Sequence, residues 1–271
     1  APLRAEPLRP AATPAPLAAP APVATVAPPT PPPGPAPAAP DDPAPEAPAA
    51  PAPVGEVTPE SRDAYAAVLD ALRSLPPAAC LSALPAASDA GALQLEVFGA
   101  TDAGPAQVAA QIADVPGADP AFLDRRIAPA QCAALDFVRA LPGYPAFSAL
   151  VELEAREVVS GTQLVGTIRN TAQREVHLLL VDNDGRVHRL DGFLEERADG
   201  NLGFAVPMTW TAEEAVETWQ LLLAISDTAP ARPVLALAGH TSAEAFFETL
   251  AAEVAATGRA PDIALIAFSV R

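Results

Sequence analysis

Glu175-Val176-His177-Leu178-Leu179-Leu180-Val181-Asp182-Asn183-Asp184-Gly185-Arg186-Val187-His188-Arg189-Leu190 reads as two strands joined by a tight turn. The four residues Asp182 to Gly185 tolerate positive φ, which a turn between two apolar strands needs. The same run fails as a calcium loop. A calcium-binding helix-loop-helix needs an oxygen ligand at its fifth position and Gly at its sixth, and those places hold Arg186 and Val187.

Strand text continues on both sides of this hairpin. Leu150 to Ala155 alternates, and Gln163 to Arg169 follows the turn Ser160-Gly161. Downstream come Leu202 to Val206, then Trp219 to Ser226, then a final apolar strand from Ile263 to Val270. Between the last two, residues 242–257 form an amphipathic helix with Ser242 as N-cap and Gly258 as its stop. Runs of strands with one late helix predict a sandwich-like, mainly β domain over 144–271.

Upstream of Pro142-Gly143-Tyr144-Pro145 the pattern changes. Thr58-Pro59-Glu60-Ser61 starts a helix whose apolar positions are Tyr65, Val68, Leu69 and Leu72, stopping at Pro76-Pro77. Cys80 to Leu84 and Ala92 to Gly99 read as strands, and Gly104 to Asp114 as a helix burying Val108 and Ile112. Phe122 to Ile127 reads as a strand, and Pro129 to Leu141 as a third helix carrying Cys132. This predicts a small α+β module over 57–143. The fold class expected for the whole is α+β.

The first 56 residues belong to neither module. From Ala1 to Pro53 Ala and Pro dominate and no aromatic residue occurs, so too little apolar bulk exists to offset the entropy of ordering. The expectation is a disordered, semi-rigid spacer with an upper reach of roughly 160 Å at about 3.1 Å per residue. The run Pro28-Pro29-Thr30-Pro31-Pro32-Pro33 also suits a ligand of proline-binding domains, but such runs are common in plain spacers.

Composition excludes several functions. A formal charge of -17 repels phosphate backbones and anionic lipid heads, so no nucleic-acid partner is expected. The 16 basic residues are all Arg, which excludes Schiff-base lysines and phosphate-loop lysines. No apolar run reaches the roughly 18 residues of a membrane span, so a membrane is expected only through a missing upstream segment. The chain opens on Ala1 and not Met, the mark expected of a processed or excised product.

The two cysteines, Cys80 and Cys132, fall in one module, while His177, His188 and His240 fall in the other. Two thiols alone do not make a structural zinc site. A disulfide accounts for them better than buried free thiols or a nucleophile. It closes a loop worth about 4 kcal/mol on the chain-entropy argument and points to a periplasmic or extracytoplasmic location. His188-Arg189-Leu190-Asp191 has the letters of a kinase catalytic loop in the wrong order, with no Asp-Phe-Gly in the chain. His177 reads as a strand histidine. Glu152, Glu154, Glu195 and Glu196 read as solvated faces, and no Ser/His/Asp set stands out. No catalytic residue, metal site or cofactor is expected.

Two groups of segments carry a resemblance. One is Val97-Phe98-Gly99 with Ile127-Ala128-Pro129-Ala130-Gln131-Cys132-Ala133-Ala134-Leu135-Asp136-Phe137. The other is Ser160-Gly161-Thr162-Gln163-Leu164-Val165-Gly166 with the 178–185 turn region and Gln220-Leu221-Leu222-Leu223-Ala224-Ile225. Together they resemble the extracytoplasmic C-terminal region of proteobacterial transmembrane serine/threonine kinases of the Rhizobiales and Rhodobacterales type. The second half is also similar to an uncharacterised bacterial surface domain. The resemblance covers about residues 75–271 and implies a sensory or scaffold role. The kinase domain itself is absent from this sequence.

The function expected is a tethered, non-catalytic sensor or protein-binding module with a protein partner in the envelope. The alternative is a structural component of an envelope or secretion assembly. Trp210 and Trp219 are the candidate anchors for a partner, although both also suit a core. The strand from Leu202 to Val206 is the expected edge for an added strand.

Overall fold

A computed structural model describes residues 59–76, 80–86, 93–171, 174–209, 219–237 and 241–271. Helix α1 (Pro59–Arg73) leads into β1 (Leu81–Ala86), β2 (Gln94–Gly99), α2 (Gly104–Ile112), β3 (Ala121–Arg126) and, after a 3-10 turn at Pro129–Gln131, α3 (Cys132–Ala140). The second half runs β4 (Leu150–Leu153), β5 (Glu157–Val158), β6 (Gln163–Arg169), β7 (Glu175–Val181), β8 (Arg186–Arg189), β9 (Leu194–Glu196), β10 (Leu202–Pro207) and β11 (Gln220–Asp227). It ends with α4 (Arg232–Leu235), β12 (Thr241–Ser242), α5 (Ala243–Thr257) and β13 (Asp262–Val270). The chain is α+β, mostly sheet, with a late helix, and a disulfide joins Cys80 to Cys132.

The quoted hairpin forms as β7 and β8, with Val181 opposite Val187. The Asp182 carboxylate accepts from the amides of Asp184 and Arg186 at 3.0 and 2.8 Å, and Gly185 takes φ 72°. A Cβ on Gly185 would lie 2.4 Å from the Ala130 carbonyl, so the turn is pressed against the 3-10 turn before α3.

Three sheets result, in orders β1-β2-β3, β4-β6-β10-β9 and β12-β8-β7-β11-β13-β5. The last is the centre of the molecule. One of its faces packs against the four-stranded sheet through Leu178, Leu222, Ile266 and Phe268, with Leu164 and Ile168 opposite. This is the expected sandwich. Its other face presents Leu179, Leu221, Leu223 and Leu265 to Leu135 and Phe137 of α3 and Phe247 of α5. Burial on both faces explains why β11 is buried at all eight positions and shows no alternation. Each such Leu or Phe contributes roughly 1.5–3 kcal/mol when withdrawn from water.

The three-stranded sheet has two fates on its two faces. Leu81, Ala83, Leu95 and Val97 face α1 and α2, where Val68, Leu72, Val108 and Ile112 complete a separate core. Leu84 and Phe98 join the central core beside α3. The sequence division at 143/144 therefore runs through a shared core, and the described residues all lie in one compact unit. The boundary segment is itself stitched in. Tyr144 is buried, and its hydroxyl accepts from the Ala83 amide and donates to the Ala83 carbonyl, both at 3.1 Å. Arg139 on α3 donates to the carbonyls of Leu75 and Pro76, just beyond α1, and of Leu81 at the start of β1, tying the three elements together.

Helix ends follow the sequence where they are described. The Ser242 hydroxyl accepts from the Ala245 amide at 3.3 Å, and Gly258 closes α5 in the left-handed conformation. Tyr65 departs from expectation. It is 38% exposed instead of lying in the core with Val68 and Leu72. The Thr58 cap, the segment 1–56 and Trp210 lie outside the described residues.

Candidate binding cleft

A cleft of about 1370 Å³ opens where the three-stranded layer meets the edge of the sandwich. Ser61 and Tyr65 of α1 and Leu93 before β2 form one wall. The segment Pro145 to Ala149 and β4 form the other, with Ile263, Leu265 and Ile266 of β13 at the base. The Tyr65 phenol is half-buried there, and that burial raises its pKa from the ordinary tyrosine value. Phe147 and Leu150 add apolar surface, Leu150 being 48% exposed.

Register shows what the sheets offer this cleft. The Glu154 amide donates to Val165 in line with the β4-β6 ladder, so even-numbered residues of β4 bond to β6. Val151 and Leu153 then turn their N–H and C=O groups away from it. On β13, Ser269 and Arg271 donate towards β5, to Arg156 and Val158. Odd-numbered Ile263 and Leu265 therefore turn their backbone groups away from β11 as well. Pairing between β13 and β5 covers only Ser269 and Val270. The cleft touches both the consecutive residues Leu265 and Ile266, whose side chains point to opposite faces, so it meets β13 at its edge. The Asp262 carboxylate holds the adjoining segment in place, accepting from the Ser148 and Ala149 amides at 2.9 Å each.

A buried charge cluster stands beside these edges. Glu96 on β2 is only 4% exposed. Arg125 Nε donates to its Oε1 at 2.7 Å, and Arg156 bonds both carboxylate oxygens, with Nη2 at 3.2 Å from Oε2. The Arg125 guanidinium lies 4.4 Å from the Trp219 ring centroid, in cation-π contact. Trp219 also donates its amide to the Arg126 carbonyl at 2.8 Å and packs on the central core. Its ring is thus a platform for Arg125 within the fold and not a free anchor.

The strand edge expected at Leu202 to Val206 is covered over its first half and open at Ala205 and Val206 among the described residues. Strand β10 pairs with β6 along its whole length and with β9 from Leu202 to Phe204, so its start is interior to the sheet. At the cleft, the strand edges without a partner among the described residues are those of β4 and of β13 before Ser269.

His177 is buried and saturated. Its Nδ1 lies 2.8 Å from Asp191 Oδ2, while the Ala231 amide donates to Nε2 at 3.2 Å. That amide requires Nε2 to be the bare nitrogen, so Nδ1 carries the hydrogen and donates to Asp191. The aspartate-histidine pair looks like half of a catalytic triad, but a backbone N–H occupies the position a nucleophile would need. His188 Nε2 lies 2.7 Å from Asp182 Oδ2 and braces the hairpin turn. His240 lies outside the described residues. Among the described residues no group of three or more His, Cys, Asp and Glu is arranged to hold a metal ion, and no helix is long and apolar enough to cross a membrane. Cys80 and Cys132 tie the start of β1 to the start of α3, beside the central core.

Comparison of the chain with protein-family models, with curated proteins and with solved structures gave no match.

Proposed function

We propose that this chain is a non-catalytic protein-binding module that works outside the cytoplasm, held at a distance from its anchor by the Pro/Ala-rich segment 1–56. The cleft carries this reading. It combines walls of mixed apolar and polar side chains with outward-turned backbone groups on two strands, a pairing of surfaces that suits a polypeptide better than a small metabolite. The engaged Nε2 of His177 weighs against the His177–Asp191 pair as a catalytic group. The disulfide favours an oxidising compartment. The kinase resemblance supplies the setting, a sensory region carried by a membrane protein, with any phosphotransfer belonging to a domain outside these residues. A long spacer raises the local concentration of such a module near a surface, which favours binding.

The test uses the full chain immobilised against solubilised envelope proteins, alongside Ala146→Trp. Ala146 is exposed and lines the cleft, so the indole fills space without entering the core. The expected result is capture of a partner by the unmodified chain and its loss in the variant. Equal capture by both, or turnover of any substrate above trace rate in a broad screen, overturns the proposal.

A further inference from the structure

His177 of β7 and Ala231, just ahead of α4, share a bond that exists only while the imidazole is neutral. The ring is buried, its side chain 5% exposed, and its Nε2 accepts from the Ala231 amide at 3.2 Å. A second proton goes to that nitrogen, since Nδ1 already carries the hydrogen given to Asp191. Two N–H donors then face each other across 3.2 Å, and one side must move. The ring is the side that is held. Asp191 Oδ2 stands 2.8 Å from Nδ1, and its Oδ1 is fixed by the Leu178 amide at 2.8 Å. Its bond to a charged imidazolium is stronger than its bond to a neutral ring. The carboxylate also balances the new charge, with Arg189 Nε 3.9 Å away as its other ionic neighbour. On the amide side, Arg259 pairs Asp227 at 3.1 Å and donates to the Ala229 carbonyl at 2.9 Å, so the chain is fixed up to Ala229. Beyond it, the amides of Ala231 and Arg232 both rest on titratable acceptors, His177 Nε2 and Glu253 Oε1.

We propose that His177 is a pH-sensitive latch on α4: in mild acid the ring gains a proton at Nε2, the Ala231 amide is displaced, and residues 231–237 loosen from the central core. Imidazole suits this task, since it is the side chain whose charge changes between roughly pH 5 and 8. The sign follows from the geometry. The Ala231 bond contributes stability while the ring is neutral and is lost as pH falls, so the latch is closed on the alkaline side and open on the acid side. What opening uncovers is apolar. Val234 is fully buried in the core cluster that holds Phe246 and Leu250 of α5, and Leu235 beside it is already 54% exposed. Two bonds from Arg189 Nη1, to the carbonyls of Val234 and Leu235 at 3.3 and 3.1 Å, keep the loosened helix near its seat, so closure is reversible. The latch does not depend on the cleft having a ligand.

The experiment is a titration of the full, nitrogen-labelled chain from about pH 8 to about pH 5, followed by nuclear magnetic resonance. The ring nitrogens of His177 report its protonation, and hydrogen exchange reports the protection of the Ala231 amide. The Ala231 and Arg232 amide signals are expected to shift together with the His177 ring. Protection at Ala231 is expected to fall about ten-fold, the scale of one lost hydrogen bond. His177→Gln, which has no proton to gain, should show neither change over the same range. His188→Gln should leave both changes as they are, because His188 braces the hairpin turn and not α4. Glu253→Gln keeps an oxygen for the Arg232 amide and should leave the midpoint in place. An Ala231 amide that keeps its signal and its protection while the His177 ring is protonated overturns the proposal, and that observation needs no variant to fold. So does a ring that stays neutral until the whole fold is lost. A response that persists in His177→Gln, or disappears in His188→Gln or Glu253→Gln, overturns it as well.

Discussion

Replacing Phe98 with Ala tests whether the two halves of the described chain fold as one. Phe98 is fully buried on β2, on the face that joins the central core with Leu84, Ile127 and α3. Its truncation removes a phenyl ring from close packing and leaves a cavity between layers that come from both sides of residue 143. Losses of this type cost about 3–5 kcal/mol. A folded unit of this size shifts in melting temperature by about 2–4 °C per kcal/mol, so a fall of roughly 6–20 °C is expected. The assay is scanning calorimetry of the full chain under non-reducing conditions. The reasoning predicts a single transition, moved down as a whole. Two transitions, with one belonging to 144–271 and unmoved, would refute the shared core. Phe193→Ala is the control, since that ring is 40% exposed and its loss should stay within about 0.5 kcal/mol.

Other expectations follow from single contacts. Breaking the Cys80–Cys132 bond, by reduction or by Cys132→Ser, opens a loop with sequence separation 52 and should cost about 4 kcal/mol, read by denaturant titration. A non-reduced digest of exported protein should show the two cysteine peptides linked, and two free thiols would remove the argument for compartment. Gly185→Ala combines φ 72° with a Cβ 2.4 Å from the Ala130 carbonyl. It should cost clearly more than Gly200→Ala, where φ is 78° but nothing lies within 4 Å and the penalty should be only about 1 kcal/mol. Equal losses at the two glycines would show that the hairpin is not docked on the 3-10 turn.

Much of the fold was legible because its elements carry local signals. Ser242 and Gly258 bracket α5, and Asp182 to Gly185 make the hairpin turn, both through chemistry confined to a few residues. The layering was not legible. An apolar face such as Leu135, Phe137 and Val138 reads the same whether its partner is the small sheet or the central one. Turn-forming residues at Pro142 to Pro145 suggest a split, but Tyr144 within them is a buried tie between layers. The covered half of the Leu202–Val206 edge escapes the sequence because its neighbour β9, Leu194–Glu196, is three residues long and acidic, too short for alternation to register. The charge cluster at the cleft escaped because Glu96 is separated by 29 residues from Arg125 and by 60 from Arg156. A signal did exist in the lone acid within Leu95-Glu96-Val97-Phe98, an otherwise buried strand.

Covering the central sheet with α3 sets an order of events during synthesis. A chain grows from its N-terminus, so α3 exists long before the strand at Asp262–Val270 that its apolar face helps to bury. Until Ile263, Leu265 and Ala267 have emerged, the Leu135 and Phe137 side chains have no finished surface to rest on, and β11 lacks its β13 neighbour. The partner contacts are distant in sequence, which makes their closure slow. The cysteines, by contrast, are both present by residue 132. Oxidation can therefore fasten β1 to α3 early. In an oxidising compartment the unfinished protein would then wait as a cross-linked intermediate with one apolar side bare.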